Sequence, residues 1–109
     1  MEELTTRMSV VIWSNMKAER LLQERHQLAA DSFAELRIWK VPKPVRGSGH
    51  DFKYALALIF GGVCVLRYDN EAGKGDHRHI GGTETDYAFT TPAQLLADFW
   101  NDVDRWRPE

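Results

Sequence analysis

Cysteine is nearly absent from the sequence: Cys64 is the only one among 109 residues. A lone thiol excludes an intramolecular disulfide and a multi-cysteine zinc site. It stands in the apolar run Val63-Cys64-Val65-Leu66, so a buried, inert thiol is expected rather than a nucleophile. Long hydrophobic runs are missing too, and no stretch approaches the roughly 20 apolar residues that span a bilayer. Residues 1–15 show no secretory pattern, because Glu2 and Glu3 come first and Val10-Val11-Ile12-Trp13 is short. No membrane partner is expected, and the expected location is cytoplasmic. Strong charge of one sign is also lacking: the formal net charge is −2, so the whole chain is not a polycation built for nucleic acid.

What is present fits one folded domain. Hydrophobic residues make up 43% and charged residues 28%, as in a globular chain that buries one modest core. Four tryptophans, five phenylalanines and three tyrosines supply bulk for that core, or for a partner surface. The charge is unevenly placed. Residues 37–53 carry Arg37, Lys40, Lys43, Arg46 and Lys53 against Asp51 alone, a basic strip able to meet phosphates. A solvated surface with local charge drift is the plain alternative.

Residues 1–15 read as a poorly ordered N-terminal extension, with an edge strand at 9–13 as the alternative, and residues 16–109 as the domain. Residues 18–28 have helix formers but precede the turn candidate Ala29-Ala30-Asp31-Ser32 and a clear strand, so an antiparallel strand is favoured. Residues 33–41 alternate as a half-buried strand, with Phe33, Glu35, Arg37, Trp39 and Val41 on one side and Ala34, Leu36, Ile38 and Lys40 on the other. Pro42 and Pro44 end that strand. Two apolar strands, 54–60 and 63–68, flank Gly61-Gly62, a two-residue hairpin turn, and belong in the middle of the sheet. A further short strand is expected at 83–89, carrying Tyr87 and Phe89. Thr91 and Pro92 then open a helix as N-cap and first residue, with Leu95, Leu96, Phe99, Trp100, Val103 and Trp106 at helical spacing. The expected class is α+β: a mainly antiparallel sheet of about five strands with a C-terminal amphipathic helix packed on one face.

Most of the titratable chemistry lies in Tyr68-Asp69-Asn70-Glu71-Ala72-Gly73-Lys74-Gly75-Asp76-His77-Arg78-His79. Gly73-Lys74-Gly75 can bring backbone amides and a cation to an anion, although it lacks the Walker spacing. If the segment is extended, His77 and His79 share a face. They could serve as general base and acid, join Asp69 or Asp76 and a further ligand such as His50 around a metal, or form a polar network. Asp69 could orient a histidine, Asn70 could cap the loop, and Arg78 could grip a phosphate. Transesterification at a ribose 2′-hydroxyl needs a base, an acid and cations, and those types are all here. The expected catalytic set is Asp69, Lys74, Asp76, His77 and His79. The expected phosphate-binding set is Gly73, Gly75, Arg78, Lys40, Lys43 and Arg46. No metal or other cofactor is assigned.

This twelve-residue stretch resembles the signature of the TumE-type toxins of bacterial type II toxin–antitoxin systems. Phe33-Ala34-Glu35-Leu36-Arg37-Ile38-Trp39, Tyr54-Ala55-Leu56-Ala57-Leu58 and Leu95-Leu96-Ala97-Asp98-Phe99-Trp100 support the resemblance, which covers roughly residues 16–107. It places weight on Asp69, Asn70, Lys74, Asp76, His77 and His79. It implies a small toxin made with a cognate antitoxin, often a helix-turn-helix protein. Metal-independent ribonuclease action is expected by analogy with other small toxins. A non-catalytic RNA- or protein-binding module is the alternative, and a homodimer stays open.

Overall fold

A computed structural model describes residues 17–108. Six strands form one sheet in chain order, every neighbour antiparallel: β1 (Glu19–Ala29), β2 (Ser32–Lys40), β3 (Phe52–Phe60), β4 (Val63–Asp69), β5 (His77–Ile80) and β6 (Thr83–Asp86). One helix, α1 (Pro92–Arg105), lies on one face. The α+β class with a C-terminal helix is as expected. The expectations for residues 1–15 lie outside the described residues.

Alternation decides which side chains meet the helix. On β2 the buried residues Ala34, Leu36 and Ile38 are two apart, and β3 and β4 continue the rows. Leu36 pairs with Leu56, which pairs with Tyr68; Ala34 pairs with Leu58, which pairs with Leu66. Leu95 and Phe99 of α1 close the core from above. Thr91 caps the helix by accepting from the Gln94 amide at 3.0 Å, and Pro92 fills the first turn. Among the described residues no helix is long and apolar enough to cross a membrane.

Three expectations need correction. Among the described residues the strands number six, because His77–Ile80 forms a strand of its own. Its four mainly polar residues give no apolar alternation to detect, and it exists because the Gly81-Gly82 turn folds β6 back along it. Second, β6 stops at Asp86. The Tyr87 amide still donates to Asp76 O at 3.0 Å while its ring packs edge-on to Tyr68 at 5.0 Å, and Phe89 lies beyond the strand, stacked on His50 at 3.8 Å between ring centroids. Third, Cys64 is exposed rather than buried. It sits next to the hairpin turn, where the register with β3 shifts between Leu58 and Ile59.

A polar clasp fastens helix to sheet. The Tyr68 hydroxyl donates to Asp102 Oδ2, and Arg78 Nη1 reaches the same oxygen at 3.3 Å. Burial and the Asp102 carboxylate push the Tyr68 hydroxyl up to about 12, against the opposing pull of Arg78. The folded state thus holds this proton more tightly than the unfolded chain, whose tyrosines titrate near 10. The resulting stability is complete below the unfolded value and is lost as pH rises through the folded one. Urea midpoints measured from pH 9 upward are expected to fall steeply above about 10, and Tyr68→Phe to lessen that fall, to which the likewise raised Tyr54 and Tyr87 still contribute, while lowering stability at neutral pH.

Candidate functional site

The register of β4 with β5 splits the twelve-residue segment between two faces. Tyr68 pairs with Arg78, and both turn toward α1. Their neighbours turn the other way, as successive residues of a strand must. Asp69 therefore stands opposite His77, and Arg67 opposite His79, on the face away from the helix. The Gly81-Gly82 turn adds a third column, setting Glu84 opposite His79.

On this outer face the groups converge. Glu84 Oε2 lies 3.2 Å from His77 Nε2, 3.5 Å from His79 Nε2 and 3.8 Å from Lys74 Nζ. Arg67 Nε is 3.2 Å from Asp69 Oδ2, and Arg67 Nη2 is 3.4 Å from His79 Nε2. His79 Nε2 thus stands between the Arg67 guanidinium and the Glu84 carboxylate. His77 is only 3% exposed, and among the described residues neither of its ring nitrogens finds a hydrogen-bond partner, although Glu84 Oε2 lies near Nε2. A buried polar group left so costs about 1–3 kcal/mol. One donor atom each from Asp69, His77 and His79 lie within 4.8 Å of one another.

Asp76 is in a different place. Its carboxylate accepts from Ser48 Oγ at 2.7 Å, Tyr54 Oη at 2.6 Å and His50 Nε2 at 2.7 Å. Burial alone would raise its pKa, but these three donors together outweigh burial and hold it below the ordinary carboxylate range. Burial and the Asp76 carboxylate push the Tyr54 hydroxyl far up, so it stays a donor. His50 Nδ1 accepts from the Phe52 amide at 3.2 Å, which leaves Nε2 as the protonated nitrogen. Asn70 completes the tether: its side chain accepts from the Tyr54 amide at 3.0 Å and donates to Phe52 O at 2.7 Å and Ser48 Oγ at 3.2 Å. Asp76 and Asn70 therefore bind the 70–76 loop to the β2–β3 connection. His50, considered above as a metal ligand, is committed to that tether.

The glycines have a packing role. Gly47 and Gly75 cross at close range, both with positive φ, and a Cβ on Gly47 would come within 2.8 Å of the Gly75 nitrogen. The Gly73 amide donates to Arg46 O at 2.6 Å and the Lys74 amide to Glu71 O at 3.1 Å, so both amides are already bonded to carbonyls. Of the basic strip, Lys40 lies 4.0 Å from Asp51, while Lys43 and Arg46 are exposed on the connection. Arg78, expected to grip a phosphate, faces the helix and is paired with Asp102.

Arg67 and Glu84 were not singled out from sequence, though both were reachable. Arg67 is two residues before Asp69 and shares its face, and closing Gly81-Gly82 as a two-residue hairpin turn brings Glu84 opposite His79.

The model of the family described as "Toxin TumE" matches residues 7–107. The chain belongs to the TumE toxin family. It is accordingly the toxin component of a toxin–antitoxin system, and an antitoxin is its partner. The match begins nine residues before the span over which the resemblance was seen, 16–107. No curated protein and no solved structure matches the chain.

The tether of this TumE toxin is testable through its glycine crossing. Gly47→Ala is expected to cost about 1–3 kcal/mol from positive φ and the contact with Gly75. Gly49→Ala, with open space around its Cβ, is expected to stay within about 0.5 kcal/mol of wild type. Urea unfolding of the two variants checks the pair.

Proposed function

We propose that this TumE toxin acts on RNA by metal-independent acid–base cleavage on the outer face of β4, β5 and β6. The observation that carries the proposal is the convergence of His79, Glu84, Asp69, Arg67 and Lys74 there. His79, half-buried and reachable, takes the proton of a ribose 2′-hydroxyl. The oxygen attacks phosphorus and the 5′-oxygen leaves, taking a proton from Lys74, so a cyclic phosphate end forms. Arg67 and Lys74 neutralise the phosphate, with Asp69 holding Arg67 in position. Glu84 stabilises the imidazolium as it forms. His77 lies too deep to meet the substrate and supports the site from behind. Asp76 acts indirectly, by holding the loop that carries Lys74. The exposed Lys43 and Arg46 extend the track for the RNA backbone.

End-labelled RNA incubated with the purified toxin tests this. His79→Ala is expected to slow cleavage by about 100-fold or more with an unchanged circular dichroism spectrum, and chelator to leave the wild-type rate intact. Cleavage by His79→Ala at the wild-type rate would contradict the scheme. Steeply salt-dependent RNA binding without product would point instead to a non-catalytic binding module, a role that the basic connection favours.

A further inference from the structure

We propose that Asp69, His77 and His79 form a binding site for a divalent transition-metal ion of the zinc class. Three observations support it independently of any RNA chemistry. The donor set is two imidazoles and one carboxylate, the combination that suits zinc and its first-row neighbours rather than calcium or magnesium. The three donor atoms lie within 4.8 Å of one another. Tetrahedral coordination at normal zinc bond lengths needs them about 3.4 Å apart, a closure that small side-chain rotations supply. Finally, His77 is buried to 3% exposure, faces this cluster and, among the described residues, has no hydrogen-bond partner at either ring nitrogen. An ion would satisfy one of those nitrogens.

The framework is rigid where it matters. His77 and His79 are two apart on β5, and Asp69 is the direct cross-strand partner of His77, so backbone ladder bonds set all three positions. Glu84 adds a second carboxylate beside both imidazoles. Arg67 is the competing cation: its guanidinium lies against Asp69 and His79, but the side chain is 43% exposed and can swing outward. Lys74, 51% exposed, is equally free to withdraw from Glu84.

The full-length toxin, stripped with chelator and titrated calorimetrically with Zn2+, tests the site. One ion per chain is expected. Asp69→Asn and His79→Gln alter partly exposed side chains, and circular dichroism verifies that each variant is folded. Each is expected to weaken binding by about 100-fold. His26→Gln, on the exposed strand β1, is expected to bind as wild type does, and Arg67→Met several-fold more tightly. Co2+ should give a d–d absorption band that Asp69→Asn and His79→Gln lose. Absence of stoichiometric Zn2+ binding by the wild type, or undiminished binding by both ligand variants, overturns the proposal. The effect on RNA, unlike the site, rests on the scheme above: a bound ion occupies His79, so Zn2+ is expected to inhibit cleavage. Zn2+ binding by a toxin that cleaves no RNA under either condition would sink the cleavage scheme and leave the ion site standing.

Discussion

The pairing of β4 with β5 is the constraint on which the site depends. Opposed residues of an antiparallel ladder share a face, and a slip of one residue sends every side chain to the other side. With Tyr68 opposite Arg78, both are held to the helix by Asp102. Asp69, His77, Arg67 and His79 must then face outward together. The clasp to the helix and the outer cluster are thus two consequences of one register. Burial of Tyr68 and Leu66 in the core with Phe99 fixes the orientation of β4, and the contact of Arg78 with Asp102 fixes that of β5.

A second device controls how the chain enters β5. The 70–76 loop makes a wide connection between two paired strands, yet it is held at both ends. Asn70 bonds the backbone of β3, and Asp76 gathers Ser48, His50 and Tyr54. Gly47 and Gly75 let the two connections cross in contact. His50 is further immobilised by its stack on Phe89. The result is a fixed starting point for His77, one residue beyond the tether. Polar groups that look like reaction machinery in one dimension are here the supports that aim a different set of polar groups.

Much of the scaffold was legible from residues. The hairpins at Ala30-Asp31 and Gly61-Gly62, the two alternating faces of β2, the central position of β3 and β4, and the Thr91 cap all follow from local rules of alternation, turn chemistry and capping. His77–Ile80 was hidden because a short polar strand has no hydrophobic pattern, its stability coming from partners on both sides. Cys64 misled because an apolar run suggests burial, whereas a turn position next to a register shift exposes it. Within the twelve-residue segment the common face of His77 and His79 was readable from spacing. The separation of Asp76 from them was not, because it depends on Ser48, His50 and Tyr54, which are more than twenty residues away.

By itself the sequence determined the α+β class, the order of most elements and the motif that marks the family. Those are properties of short stretches, written in periodicity and in turn and cap residues whose backbone preferences act over a few positions. Only the tertiary structure decided which of the many titratable side chains lie together. Asp76 went to the loop tether, Arg78 to the helix, and Arg67 and Glu84 joined Asp69, His77 and His79. The sides taken by Arg67 and Glu84 follow from spacing and a two-residue turn, whereas the partners of Asp76 and Arg78 depend on long-range hydrogen bonding, which leaves no local trace in the order of residues.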